Sequence, residues 1–334
     1  MSGSRRYPPA GGRRESAHEA RPDPQADGGA PIQIVSDEHG LPFSKGLLAQ
    51  SLTATGLPPE RAYRVARAVQ EKVRADGLVA LSVDDLADRV GRALAEMEGP
   101  PYSGRYAKWR RLALQDQPVI ILIGGTTGVG KSTLASQLAH RLGIVRLIST
   151  DSIRQVMRAF FSSALMPAIH FSSFDAAGAV RIPIGRNLDP ALIGFVEQVE
   201  MVNAGVAAII GRAVSEGTGM VLEGVHLVPG FTATSSWDKA LVLPMVVMVD
   251  DAELHRSHFL VRSRETDGRR PFDRYLGNFD AIRKIQDFIV SRAREEGTLI
   301  IENIDIDETV GMVVEALYDL IGEREGTGAL TMEG

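Results

Sequence analysis

Apolar runs alternate with helical stretches from residue 118 onward, and this alternation predicts the fold of the larger part of the chain. Five runs have the composition of buried strands, and they span 119–123, 144–148, 219–223, 245–249 and 298–302. Continuous apolar strands separated by helices are typical of a mostly parallel sheet covered by helices on both faces. We therefore predict an α/β domain over residues 118–322, with its functional site at the carboxyl ends of the strands.

A different pattern over residues 31–98 predicts a second, smaller domain that is mainly helical. Residues 32–35 have the composition of a strand, and residues 37–40 are typical of a turn. Three helical patterns follow. They run through Leu47 and Leu52, from Pro58 onward, and from the capping sequence at Ser82 onward.

The remaining segments are expected to connect or flank these domains. Residues 99–117 include a basic, aromatic stretch and predict a linker helix. Residues 1–30 contain almost no large apolar side chains, so they cannot bury enough surface to offset the entropy of ordering. We predict disordered tails at 1–30 and 323–334.

Composition narrows the class of protein. The net charge of −5 does not favour nucleic acid as a partner. The absence of cysteine excludes disulfides, thiolate metal sites and a cysteine nucleophile. The sequence has no run of 18 apolar residues and no signal-like N-terminus, so we expect a cytoplasmic protein that does not use a membrane. The sequence leaves a homo-oligomer open.

The first candidate site follows the strand at 119–123 and matches the G-x-x-x-x-G-K-[ST] pattern of a phosphate-binding P-loop. Its residues, which we predict to bind the nucleotide, are Gly125, Thr126, Thr127, Gly128, Val129, Gly130, Lys131, Ser132 and Thr133. Glycines let successive main-chain N–H groups point inward around a polyphosphate, and the following helix adds a positive N-terminus. Lys131 is expected to reach the β- and γ-phosphates of the nucleotide, and the Ser132 hydroxyl to bind Mg²⁺.

Two acidic residues lie at the carboxyl ends of the second and third predicted strands. Asp151 follows the second strand and can accept the proton of an attacking hydroxyl, or orient it. Glu223 ends the third strand, where such folds place a carboxylate that serves Mg²⁺ or orients water, and we predict a catalytic and metal-binding role for it. His226, three residues on, is a candidate for substrate contact, with a purely structural histidine as the alternative.

Arginines supply candidate anion-binding groups. Arg154 and Arg158 lie in the helix that Asp151 opens, and Arg181 lies in the insertion that follows, so we expect these three to bind an anionic substrate. A second group forms an arginine-rich lid; its members are Arg256, Arg262, Arg264, Arg269, Arg270 and Arg274. Arg262 and Arg264 are the preferred catalytic pair, because a closing lid stabilises charge and excludes water during phosphoryl transfer.

Together these stretches resemble the 2-phosphoglycerate kinase family over about residues 31–320. The resemblance rests on the P-loop, on Ser149–Arg154, on Leu222–His226 and on the stretch from His255 to Ala293. It implies ATP-dependent phosphorylation of 2-phosphoglycerate to 2,3-bisphosphoglycerate, with ATP and Mg²⁺ required and a small anionic metabolite as partner. It also implies that Asp151 serves the acceptor's 3-hydroxyl, while Arg154, Arg158 or Arg181 hold its carboxylate and phosphate.

The same resemblance extends to residues 31–98, which are similar to an ATP-cone domain through the strand, the step at Gly40–Phe43 and the helices that follow. ATP-cones commonly carry a basic residue before this turn, whereas Ser36-Asp37-Glu38 is acidic here. Regulatory nucleotide binding and a structural or substrate-covering role both stay open for this domain.

Two other functions stay open at this point. The pattern of Ser149, Asp151 and Arg154 also resembles polynucleotide-kinase-like enzymes, so the acceptor can be a nucleoside, a polynucleotide end or another metabolite. A nucleotide-dependent regulatory switch is the alternative outside transfer chemistry. The lid arginines favour transfer over switching, and no Asn-Lys-x-Asp motif for guanine occurs.

Overall fold

The protein is described here by a computed structural model that covers residues 32–36, 39–114, 117–181, 189–232, 239–265 and 272–331. The strands are β1 (Gln33–Ser36), β2 (His39–Pro42), β3 (Ala80–Ser82), β4 (Val119–Gly124), β5 (Arg146–Ser149), β6 (Met220–Glu223), β7 (Leu241–Met248) and β8 (Leu299–Glu302). The helices are α1 (Lys45–Thr53), α2 (Pro59–Ala75), α3 (Val83–Met97), α4 (Pro100–Ala113), α5 (Lys131–Leu142), α6 (Thr150–Phe160), α7 (Pro190–Ser215), α8 (Ala252–Glu265), α9 (Phe272–Gly277), α10 (Phe279–Glu295) and α11 (Ile306–Thr331). The tail predicted at 1–30 lies outside the described residues.

A five-stranded sheet forms the core of the larger domain. Its strand order is β5-β6-β4-β7-β8, and every neighbouring pair is parallel. In the central strand, Ile120 is paired with Met220 on one side and Val242 on the other. The predicted α/β class with a parallel sheet is therefore confirmed.

The side chains of β4 show why the sheet is covered on both faces. Ile121 and Ile123 pack into a core that includes residues of α5 and α11. Ile120 and Leu122, which alternate with them, pack into a second core that includes residues of α6 and α7. Since successive strand residues point to opposite faces, a continuous apolar run requires an apolar layer on each side.

One strand begins earlier than the sequence predicts. Strand β7 starts at Leu241 rather than at residue 245, and it contains Pro244. Proline argues against a central strand because it lacks an N–H group for the ladder. In this sheet Pro244 lies opposite Leu122, just before the pairing of β7 with β8 begins at Met245.

The smaller domain has more sheet than its sequence predicts. The three helices lie where they are expected, but the residues that predict a turn at 39–40 belong to β2, which is antiparallel to β1. A third short strand, β3, is parallel to β1. These strands carry no clear alternation of polar and apolar residues, so packing against the helices, rather than local pattern, selects them.

Helix α4, predicted as a linker, joins two cores. Tyr106 is buried among residues of the smaller domain, and Leu112 is buried among residues of the larger one. A second connection lies at the end of α5, where Arg141 Nε donates to the carbonyl of Ala54, 3.2 Å away, just after α1. The helix that begins with Lys131 therefore contacts the smaller domain at its other end.

The two longest helices, α7 and α11, each have 26 residues. By length and composition α7 could cross a membrane, and 44% of its most apolar window is buried inside the protein. Val202 and Val206 of α7 pack in the core with Ile120, so in this fold α7 is a core helix. Helix α11 continues to Thr331, so it includes residues 323–331 of the tail that the sequence predicts to be disordered. The glutamates and arginine that begin this stretch are good helix formers and extend α11.

Candidate active site

The P-loop connects β4 to α5, and side chains from other elements fix its main-chain carbonyl groups. Three consecutive carbonyls accept hydrogen bonds: Thr127 O from His255 Nε2 at 2.8 Å, Gly128 O from His258 Nδ1 at 2.9 Å, and Val129 O from Asn303 Nδ2 at 2.9 Å. In a planar trans peptide, the carbonyl and the next N–H point in opposite directions. The N–H groups of Gly128, Val129 and Gly130 are therefore directed away from these side chains.

The conformation of the loop requires glycine at residue 128. Its φ angle of +90° is in the region that L side chains rarely adopt. A Cβ atom there would also lie 2.5 Å from the ring of Phe259. Phe259 is held in place by stacking on the rings of His255 and Tyr275, with ring centroids 5.2 and 4.9 Å away. The loop thus lies directly on an aromatic stack.

Lys131 and Ser132 begin α5 at the carboxyl edge of the sheet. The buried ammonium of Lys131 donates to the carbonyl of Thr126 at 2.6 Å. Burial lowers the pKa of Lys131, while the negative charges of Glu223 and Asp151 act in the opposite direction. Ser132 Oγ donates to Glu223 Oε1 at 3.0 Å. One ammonium, one hydroxyl and two carboxylates are therefore brought together.

The ends of three neighbouring strands create this grouping. Glu223 ends β6, where it is paired with Ile123 of β4 on one side and Ser149 of β5 on the other. Gly224 follows with a φ angle of +155°, and a Cβ atom there would overlap Thr150 Oγ1 at 1.8 Å. Only glycine lets β6 leave the sheet this close to the start of α6.

Asp151 lies in the first turn of α6, with an exposed side chain. The N-cap of this helix is Ser149, whose Oγ accepts from Ser152 N at 3.1 Å, so the capping role that could explain an aspartate here belongs to another residue. The carboxylate of Asp151 instead accepts from Arg154 Nε at 3.2 Å. It is left exposed at the carboxyl edge of the sheet, within electrostatic range of Lys131.

Two residues predicted to bind substrate lie in the interior instead. His226 is fully buried, with Nδ1 2.8 Å from Thr150 Oγ1 and Nε2 3.0 Å from Gln198 Oε1. Arg154 is also buried, and its Nη1 donates to the carbonyls of Ile169 and Phe171 at 2.9 Å each. Their polar atoms are used by protein partners, so these contacts favour a structural role for His226 and a supporting role for Arg154, and direct substrate contact by either residue stays a prediction.

The other predicted arginines are more open. Arg158 is half-buried and Arg181 is exposed, and each makes one longer bond, to Gln155 Oε1 at 3.2 Å and to Ser163 O at 3.3 Å. Arg264 is exposed near the end of α8. The side chain of Arg262 and the whole of residues 269 and 270 lie outside the described part of the chain.

Sequence reasoning missed three groups at this site. His255 and His258 sit one helical turn apart on α8, a spacing that could have been noticed beside the arginines of the same stretch. Asn303 follows β8, and its Oδ1 accepts from Thr309 Oγ1 at 2.9 Å, which orients the amide toward the P-loop. Strand ends are where such folds place functional side chains, and this rule points to Asn303 as it does to Glu223.

Buried histidines make the stability of the protein depend on pH. Burial lowers the pKa of both His226 and His255 to about 4, from an ordinary value of 6.5. The unfolded chain therefore binds more protons than the folded one between these values, so stability is lost as the pH falls from 6.5 toward 4. We expect each histidine to reduce the free energy of unfolding by about 2 kcal/mol between pH 7 and pH 5. Urea unfolding at several pH values measures this.

A pair of variants tests the assignment. Replacing His226 with glutamine lowers stability at neutral pH but removes one titrating group, so its loss of stability on acidification is expected to be smaller than that of the wild type. His140→Gln, at an exposed histidine of α5, is the matched control and leaves the dependence unchanged. An identical pH dependence in His226→Gln and wild type would contradict the prediction.

No protein-family model matches the chain, whereas several whole proteins do. The 2-phosphoglycerate kinase of Methanothermobacter thermautotrophicus is 42% identical over 285 residues, which cover 85% of this chain and 93% of that protein. The 2-phosphoglycerate kinase of Methanopyrus kandleri is 39% identical over 88% of this chain and 90% of its own length. That of Thermococcus kodakarensis is 37% identical, with 88% and 99% covered.

Solved structures resemble the chain more distantly. Shikimate kinase from Acinetobacter baumannii is 15% identical, with a TM-score of 0.36, 63% of this chain covered and 97% of that chain.

Among the whole proteins, identities of 37–42% extend over most of both chains. The chain therefore belongs to the 2-phosphoglycerate kinase family.

Proposed function

We propose that this protein transfers the γ-phosphoryl group of ATP to the 3-hydroxyl of 2-phosphoglycerate, forming 2,3-bisphosphoglycerate and ADP. The curated relatives carry the name of this activity, and they match nearly the whole chain. The observation that carries the proposal is the convergence of Lys131, Glu223 and Asp151 beside a P-loop whose carbonyls are fixed by other side chains. A kinase needs such a phosphate cradle next to a group that can serve the acceptor hydroxyl.

The nucleotide fits this loop for three reasons. The N–H groups of Gly128, Val129 and Gly130 are directed away from the anchoring side chains, so they are available to the oxygen atoms of a polyphosphate. The N-terminus of α5 adds partial positive charge at the same place. Lys131, which donates to Thr126 O, can turn its ammonium to the β- and γ-phosphates and compensate their charge.

The donor set suits Mg²⁺. Ser132 Oγ and Glu223 Oε1 lie 3.0 Å apart, and both are hard oxygen donors. The described residues contain no group of three or more histidine, cysteine or acidic side chains that could hold a metal by themselves. Mg²⁺ commonly uses one or two protein oxygens together with phosphate oxygens and water, and when bound it would withdraw charge from the transferring group.

The acceptor would lie between Asp151 and the open arginines. Asp151 takes or orients the proton of the 3-hydroxyl as that oxygen bonds to the γ-phosphorus and the bond to the β–γ bridging oxygen breaks. Arg158 is half-buried and Arg181 is exposed, and both guanidinium groups suit the carboxylate and the 2-phosphate of the acceptor. Arg154 holds the segment at 169–171 and keeps Asp151 in place.

The lid arginines complete the proposal. Arg264 lies six residues beyond His258 on α8, or about 9 Å along the helix axis. With Arg262, it is proposed to stabilise the negative charge of the phosphoryl group in transfer and to exclude water, which would otherwise compete as acceptor. A cytoplasmic location stays a prediction, and the ATP-cone-like domain is proposed either to bind a regulatory nucleotide or to serve a structural or substrate-covering role.

Product identification tests the proposal. The protein is incubated with ATP, Mg²⁺ and 2-phosphoglycerate, and the products are followed by ³¹P NMR; we expect ADP and a compound with two phosphomonoester signals to form in equal amounts. Parallel reactions contain 3-phosphoglycerate, a nucleoside, an oligonucleotide with a free 5′-hydroxyl, or no acceptor.

The parallel reactions separate the alternatives. Transfer to a nucleoside or an oligonucleotide, without transfer to 2-phosphoglycerate, would identify a kinase of another acceptor. Slow ATP hydrolysis that no acceptor changes would favour a nucleotide-dependent switch instead of a kinase.

A further inference from the structure

One face of α8 contacts the P-loop. His255, His258 and Phe259 occur at spacings of three and four residues, which place them on the same side of a helix. The first two donate to consecutive loop carbonyls, and the third lies against the glycine between them. These three side chains contact the main chain of the P-loop, so α8 can control the orientation of the loop's peptide groups as well as line the site.

His255 suits this task as a neutral donor. His255 is fully buried, and its Nδ1 has no hydrogen-bond partner among the described residues. With Nε2 bonded to Thr127 O, the ring carries its proton on Nε2 and leaves Nδ1 unprotonated. The low pKa of His255 agrees with a ring that stays neutral at physiological pH. A neutral ring fixes the carbonyl without placing a second positive charge beside Lys131.

The hydrogen bonds from the two histidines restrict the orientation of peptide groups in the P-loop. A peptide that rotated by half a turn would direct its carbonyl toward the phosphates, where an oxygen repels an anion, and would withdraw its N–H. The bonds from His255 and His258 oppose this rotation at Thr127–Gly128 and Gly128–Val129. Gly128 has no side chain to resist it, so the restraint must come from elsewhere.

We propose that His255 and His258 are positioning residues for nucleotide binding, which hold the N–H groups of Gly128 and Val129 toward the phosphates. The inference rests on the proposed function, in that ATP is taken to occupy this loop. Since the same helix continues to Arg264, the orientation of the loop and the placement of the lid arginines are set by one rigid element.

Matched substitutions at His258 test the role. Asparagine places an amide N–H near the position of Nδ1, whereas leucine removes the donor and keeps a similar volume. We expect His258→Leu to weaken the binding of ADP, measured by calorimetry, about 5- to 10-fold, which corresponds to the loss of one hydrogen bond. His258→Asn is expected to recover most of this loss. At His255, glutamine and leucine form the equivalent pair, since the glutamine amide can reach the position of Nε2.

Further readouts distinguish positioning from simple destabilisation. In steady-state assays the KM for ATP should rise in the leucine variants, while the KM for 2-phosphoglycerate stays near that of the wild type. His140→Leu, which removes an exposed histidine from the far end of α5, is the control and should leave ADP binding unchanged.

The outcomes separate this inference from the proposed function. Wild-type affinity for ADP in both leucine variants would overturn the inference alone. An equal loss in the leucine and amide variants, together with a lower Tm, would also overturn it, because it would show a structural role without a specific donor. If the wild-type protein bound no nucleotide, the proposed function itself would fail.

Discussion

Replacement of Lys131 by methionine is expected to reduce kcat at least about 100-fold while leaving a folded protein, because an ammonium that compensates charge on the transferring phosphoryl group is lost. Methionine keeps much of the length of the buried stem, so the change removes the charge and little else. Coupled measurement of ADP release over a range of ATP concentrations checks the prediction.

The stability of this variant provides its control. Burial lowers the pKa of Lys131, which means that the folded state pays to keep this group charged. Most substitutions in a protein core lower the Tm, but this one removes a charge whose burial is unfavourable. The Tm of Lys131→Met should therefore equal or exceed that of the wild type. An unfolded variant would make a loss of activity uninformative, and full activity in a folded variant would exclude the proposed phosphate chemistry.

Asp151→Asn is expected to lower kcat about 10²- to 10³-fold with little change in the KM for ATP, because a positioned general base is lost. The asparagine Oδ1 can still accept from Arg154 Nε, so the structural contact of this residue is preserved. The rate at saturating 2-phosphoglycerate is the quantity to measure, since the two substrates are then both bound.

A second aspartate provides the comparison for this substitution. Asp88→Asn, at an exposed aspartate of α3 in the smaller domain, makes the same chemical change outside the P-loop domain and should keep wild-type kcat. Wild-type turnover in Asp151→Asn would show that the acceptor's proton leaves by another route. A large rise in the KM for ATP would indicate that Asp151 acts through the nucleotide site.

The parts of the candidate site that can be proposed from the sequence are those that a local motif or the end of a strand marks. The P-loop can be recognised from the sequence because its glycines, lysine and serine must occur at fixed spacing between a strand and a helix. Asp151 and Glu223 are predictable since parallel strands bring their carboxyl ends to one edge. The parallel sheet follows from apolar runs that only a doubly covered sheet can bury, and the family resemblance is confirmed by whole-chain relatives.

The roles that cannot be predicted from the sequence are those set by hydrogen-bond partners far away along the chain. His226 looks available for substrate until Gln198 and Thr150 are seen to use both ring nitrogens. His255 bonds to a residue 128 positions away, and Asn303 to one 174 positions away. No local periodicity carries such information. The two short strands of the smaller domain were missed for a related reason, since tertiary packing stabilises them and their own composition does not.

The double attachment of α5 has a mechanical consequence. Its first residue is Lys131, and Arg141 near its end is bonded to Ala54, so a rod of 12 residues, about 18 Å long, spans from the phosphate cradle to the smaller domain. A helix resists bending and stretching far more than a loop does. Leu134 and Leu138 anchor the middle of this helix in the core of the larger domain, so the hydrogen bond at Arg141 ties the smaller domain to an element that is already fixed beside the phosphate cradle.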